Sequence, residues 1–198
     1  HVILRLAFLS ILSLGAVSVA HAESSLVSQI RTLRNSLPVS DSTRPQLTLR
    51  LADTLCNEAL KARIAQESKG EAISRDLRRM EEEALSLYET ALRGEEGSKK
   101  KPSGEDALKI TFQRARLMQE LGQVSSALAL YREVGGKSEI SSLKRESFLR
   151  VAEILENSDP KSREVETAYR KTLEYCQGTD TCAYAHYRLA WFYRNQGD

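Results

Sequence analysis

Three histidines occur in the 198 residues, and two of them, His1 and His21, lie in an apolar N-terminal run. His186 is therefore the one imidazole in the rest of the chain. A single histidine cannot build a multi-histidine metal site. It could serve a Ser or Cys nucleophile, but the Gly-x-Ser-x-Gly turn that presents such a serine is missing. Neither a Gly-rich phosphate loop nor a dinucleotide fingerprint occurs. Glu81–Glu83 places carboxylates side by side on a helix, but Arg78 and Arg79 lie one turn back, and the run reads as a solvated, charge-balanced face. The expectation is that no residue is catalytic, no metal is bound and no cofactor is required.

Thiol chemistry is the exception, and it depends on compartment. The first residues, HVILRLAFLSILSLGAVSVAHA, carry Arg5 and then an apolar run from Leu6 to about Ala20. The run is about 15 residues, short of the roughly 20 needed to span a bilayer. It ends in Ala20-His21-Ala22, the small-x-small pattern of a cleavage site. Residues 1–22 therefore read as a signal peptide cleaved after Ala22, with an uncleaved anchor as the alternative. The mature chain is expected to be exported and periplasmic, with no stable membrane span. In that oxidising setting Cys176 and Cys182, six apart in YCQGTDTCAY, are expected to form a disulfide; two buried thiols are the alternative. Cys56, among apolar helix positions, reads as a small core residue.

The elements that position these groups are helical throughout. Residues 23–44 form a Ser-rich lead-in with a short helical stretch near Leu26–Leu37. Residues 45–93 read as a helical hairpin. Leu47, Leu51, Ala52, Leu55 and Ala59 recur at helical spacing, then Leu77, Met80, Ala84, Leu87 and Tyr88, with Ser74 and Gly94 as caps. Residues 94–106 are a polar linker. Its Lys99–Lys101 run, set among acids, Gly, Ser and Pro, reads as a solvated loop rather than a basic contact patch. Five helices follow in residues 107–198: Ala107 to Leu121, Ser125 to about Val134, Ser142 to Glu156, Arg163 to Cys176, and Asp180 to Asn195. A net charge of +2 gives no basic footprint for nucleic acid.

The segments repeat. Ala115, Ala152 and Ala190 lie 37 and 38 residues apart on the first helices of successive pairs, with Ala52 in a matching place. Tyr88, Tyr131 and Tyr169 mark the second helices, and Ala84, Ala127 and Val165 precede them by four. A small residue lets two helices approach, and a ring on the partner fills the gap. One hairpin cannot bury its own apolar face and so stacks on the next. YRLAWFYRNQGD resembles the first helix and turn of a tetratricopeptide repeat, through Leu189, Ala190, Tyr193, Gly197 and Asp198. Ala115 to Val134 resembles it too, with Gly122, Ala127 and Tyr131. The family's aromatic near the start of the first helix is replaced by Thr111 and by His186, its closing Pro is absent, and residues 45–93 form a divergent repeat.

The resemblance implies an all-α, right-handed solenoid of stacked hairpins. Residues 107–198 would hold about two and a half repeats and continue beyond the last residue, or meet a partner there, because Tyr187, Trp191 and Phe192 would otherwise be uncovered. It also implies a protein or peptide partner in the bacterial cell envelope, held on a concave face by Phe112, Arg116, Gln119, Leu149, Glu153, Glu156, Tyr184, Tyr187, Trp191 and Arg194. These residues lack the Lys and Asn cluster with which family members grip a terminal carboxylate. Two other readings stay open. One is a non-catalytic helical arm of a larger enzyme acting on peptidoglycan. Such enzymes carry Glu-Ser followed by Gly-Leu-Met-Gln, and here Glu146-Ser147 and Leu117-Met118-Gln119 stand in the reverse order. The other is a structural subunit that self-assembles through its aromatic end.

Overall fold

The computed structural model describes residues 24–95 and 101–196. The expected signal peptide, Lys99, Lys100, Gly197 and Asp198 lie outside the described residues. The described chain is all-α, with eight helices: α1 (Ser25–Ser36), α2 (Arg44–Ser68), α3 (Arg75–Arg93), α4 (Gly104–Glu120), α5 (Val124–Lys137), α6 (Ser141–Ser158), α7 (Arg163–Glu174) and α8 (Asp180–Gln196).

Local chemistry sets several of the boundaries. The hydroxyls of Ser24, Ser74 and Ser162 accept from the N–H groups of Val27, Leu77 and Glu164 and cap α1, α3 and α7. Pro45 lies in the first turn of α2, where its missing N–H costs no bond. Gly94 ends α3 at φ 83°, a conformation that a Cβ disfavours. Most boundaries fall within two residues of expectation, and two differ by three. Helix α4 starts at Gly104, inside the expected linker, and α5 runs through Gly135-Gly136 to Lys137 instead of stopping at Val134. The reason at Gly135 is packing: a Cβ there would lie 3.0 Å from the Phe148 ring of α6. That glycine permits close approach inside a helix and does not terminate it.

Each helix packs on its neighbours in sequence, most extensively α2 on α3, α4 on α5 and α6 on α7. The repeated landmarks mark those three pairings. Ala52, Ala115 and Ala152 on the first helices are fully buried, as are Ala84, Ala127 and Val165 on the second. Tyr88, Tyr131 and Tyr169 are at most 1% exposed. The lead-in helix α1 also joins the core, burying Val27 and Ile30 against α2. The fourth landmark behaves differently. Ala190 is exposed, and α8 turns Cys182, Ala185, Leu189 and Phe192 inward instead, because among the described residues α7 is its only extensive packing neighbour.

This contrast sets a paired test. Ala115→Leu forces extra methylenes into a filled site and should lower stability by about 1–3 kcal/mol. Ala190→Leu, at an exposed helix position, should stay within about 0.5 kcal/mol of wild type. Urea denaturation followed by circular dichroism measures both.

Candidate functional site

The second helix of each pair sends its tyrosine toward the first helix, and the phenol meets a different group each time. Tyr88 donates to Asp53 Oδ1 at 2.6 Å, from α3 to α2. Tyr169 donates to Glu156 Oε2 at 2.6 Å, from α7 to α6. Tyr131 stacks edge-to-face on Phe112, with ring centroids 5.4 Å apart, but its hydroxyl has no hydrogen-bond partner. The position on α4 that corresponds to Asp53 is Arg116, one residue past the landmark alanine, and a guanidinium offers no acceptor. Burial raises all three phenols above their ordinary value, so each stays protonated at neutral pH.

Polar side chains connect alternate helices across this face. Arg116 of α4 donates to Cys56 Sγ of α2 at 3.0 Å, and Arg63 of α2 pairs with Glu120 of α4 at 3.0 Å. Arg188 of α8 pairs with Glu156 of α6 at 2.6 Å, and Thr181 of α8 donates to Glu146 at 3.1 Å. Arg150 holds Glu153 at 2.8 Å, and both lie in the electrostatic surroundings of Tyr131 together with Arg116 and Glu120. Polar links therefore join α2 to α4 and α6 to α8.

The ten residues expected on a binding face divide into three groups. Leu149 is 5% exposed and belongs to the core, so it is not available to a partner. Phe112, Arg116, Gln119, Glu153 and Glu156 are half-buried, and all but Gln119 have the neighbours just named. Tyr184, Tyr187 and Trp191 are 39%, 62% and 41% exposed, and Arg194 lays its guanidinium over the Trp191 ring at 5.4 Å. Tyr184 adjoins Glu153 and Glu156, so α8 and α6 bring these expected residues together.

The expectation passed over a groove between α2 and α4. It has a volume of about 780 Å³ and is lined by Gln46, Leu49, Asp53, Lys109, Ile110 and Gln113. Gln113 Oε1 is buried in its wall without a hydrogen-bond partner. A signal for it existed: Leu49 and Asp53 stand at the same offsets from Ala52 as Phe112 and Arg116 do from Ala115.

The acidic groups also sit differently. Glu81 is 1% exposed and takes a bidentate hydrogen bond from Arg63 at 2.7 and 2.8 Å, so it belongs to the interior and not to a solvated face. Glu95, in the expected linker, is buried against Thr48, Arg34 and Arg44. Ser147 is buried within α6, while Glu146 engages Thr181. His186 is exposed, and no group of three or more His, Cys, Asp or Glu among the described residues is placed to hold a metal ion. No helix of the described chain is long and apolar enough to cross a membrane.

Cys176 and Cys182 lie at disulfide distance, with Cα atoms 5.6 Å apart, and tie the end of α7 to the first turn of α8. Tyr193 donates to Glu166 at 2.6 Å and fastens the far end of α8 to the same helix. Reducing the disulfide should cost about 2 kcal/mol, the entropy of so short a loop. A urea titration with and without dithiothreitol measures the loss, and hydrogen exchange should place the added opening in α8. Cys56, also buried, has no disulfide partner among the described residues.

No family model matches the chain, and no curated protein matches it.

Proposed function

We propose that the chain is a non-catalytic scaffold of the bacterial cell envelope that binds another protein or peptide, built as a right-handed solenoid of tetratricopeptide-like hairpins. The observation that carries this reading is the threefold packing register: Ala52, Ala115 and Ala152 buried beside Tyr88, Tyr131 and Tyr169. A chain built from near-neighbour contacts gains stability by stacking and presents a long, repetitive face. On that face the α2–α4 groove supplies apolar and polar lining, and α8 supplies exposed rings with arginine nearby, the residue types enriched where binding energy concentrates. Export to the periplasm fits the cysteine pair at bonding distance, since disulfides persist in oxidising compartments.

The test is site-specific photo-crosslinking in envelope extract. A benzoylphenylalanine is placed at Gln46, at Lys109 and at Tyr187, and for comparison at Glu133 on α5. The expected result is one shared partner band from the first three positions and none from Glu133. A Trp191→Ala variant of unchanged helicity should lose the band at Tyr187. Equal labelling from all four positions, or none, would count against a binding face and favour an arm or structural subunit.

A further inference from the structure

Two residues before the landmark alanine, α4, α6 and α8 carry Gln113, Arg150 and Arg188. Each lies near the tyrosine of the preceding pair. Gln113 lines the α2–α4 groove together with Tyr88, Arg150 stands in the electrostatic surroundings of Tyr131, and Arg188 in those of Tyr169. Between α6 and α8 the arrangement is complete. Tyr169 donates to Glu156 Oε2 at 2.6 Å, and Arg188 pairs with that same oxygen at 2.6 Å. A phenol, a carboxylate and a guanidinium form one chain of contacts.

Between α2 and α4 the guanidinium has no counterpart. Tyr88 donates to Asp53 Oδ1 at 2.6 Å, but the position that corresponds to Arg188 holds Gln113. Asp53 makes no ion pair among the described residues, and Gln113 Oε1 is buried without a hydrogen-bond partner. The cations nearby are engaged or directed elsewhere. Lys109 pairs with Asp106 at 3.2 Å. Lys101 runs along Gly94, its Cγ 3.0 Å from where a Cβ on that glycine would stand. Arg50, three residues before Asp53, lines a separate groove with Leu33 and Leu37 of α1. The α2–α4 groove therefore holds two acceptors that lack a cationic donor, beside the apolar Leu49 and Ile110. A guanidinium suits this set: its planar fork of N–H groups can serve two acceptors at once, and its stem is apolar.

We infer that the α2–α4 groove takes one arginine side chain of the partner, an inference that rests on the reading of this groove as part of a binding face. The guanidinium donates to Asp53 and to Gln113 Oε1, in the place that Arg188 fills between α6 and α8, and the methylenes lie on Leu49 and Ile110.

The probe is the peptide acetyl-Ala-Arg-Leu-Ala-amide, titrated into the protein while the Ile110 methyl signals are followed by NMR. They should shift in a saturable way, with a dissociation constant of about 0.1–1 mM that weakens as salt is raised. The same peptide with citrulline in place of arginine, close in shape but uncharged, should bind at least about tenfold more weakly. Asp53→Asn keeps an acceptor for Tyr88 and should lose a similar factor. Gln113→Arg supplies the guanidinium from within the chain, so it should hold or raise the melting temperature and abolish peptide binding. The inference is overturned if the citrulline peptide binds equally, if either variant binds as wild type does, or if no shift appears up to about 10 mM peptide. Binding that appears only after Lys99, Lys100 and Lys101 are replaced by glutamine would give the site to the chain's own lysines and also overturn it. Crosslinks from Gln46 and Lys109 without arginine binding would sink this inference and leave the binding face standing. Arginine binding without those crosslinks would keep the site and count against the face.

Discussion

Replacing Arg63 with alanine is expected to lower the unfolding free energy by about 3–5 kcal/mol, because it strands a carboxylate in the interior. Arg63 reaches from α2 to Glu81 on α3 and Glu120 on α4, with its own side chain 11% exposed and that of Glu81 2% exposed. Burial raises the Glu81 carboxyl above its ordinary range even with Arg63 in place, and the arginine is the main influence in the other direction. The sign of the pH dependence follows. Without Arg63 the Glu81 carboxyl rises further, so the folded state holds its proton to higher pH than the unfolded chain does. The variant should be closest to wild type near or below the unfolded carboxyl value of about 4.3, and fall behind as pH rises through the elevated folded value. Denaturant midpoints for both proteins between pH 4 and 8 give the curve. A Glu81→Leu, Arg63→Met double variant should recover most of the loss, since apolar groups of similar volume carry no desolvation cost. If Arg63→Ala were uniformly mild across that range, water would have to reach Glu81.

Tyr169 and Tyr131 should respond to loss of the hydroxyl in opposite ways. Tyr169→Phe removes a hydrogen bond to a carboxylate, and about 1.5–3 kcal/mol should go with it. Tyr131→Phe removes a buried hydroxyl without a partner and should be neutral or slightly stabilising, since no bond is lost and a desolvated polar atom is eliminated. Truncation is another matter: Tyr131→Ala empties a fully buried site between α4 and α5 and should cost about 3–5 kcal/mol. The three variants, measured together by urea unfolding, separate the work of the ring from that of the hydroxyl. A Tyr131→Phe loss as large as that of Tyr169→Phe would mean that an ordered water or an unobserved rotamer satisfies the Tyr131 hydroxyl.

What the sequence by itself determined is what short-range physics can write. Apolar spacing near 3.6 marked every helix, the Ser74 and Gly94 caps were legible one turn at a time, and the interval from Cys176 to Cys182 kept their thiols within reach. The spacing of Ala52, Ala115, Ala152 and the three tyrosines found which helices pair, because a small residue opposite a ring is the same packing solution each time. Only the tertiary structure decided which sides of those helices are covered. Periodicity tells that Leu149 and Ala190 lie on apolar stripes, but burial depends on whether another helix is there: among the described residues one covers Leu149 and none covers Ala190. Gly135 looked like a stop until the Phe148 ring occupied the space its side chain would need. Glu81 and Glu95 looked solvated because their partners are remote, Arg63 lying 18 residues before the one and Arg34 lying 61 before the other. A charge run reads as surface until a distant cation meets it in the interior, and that meeting is a property of helix stacking rather than of local sequence.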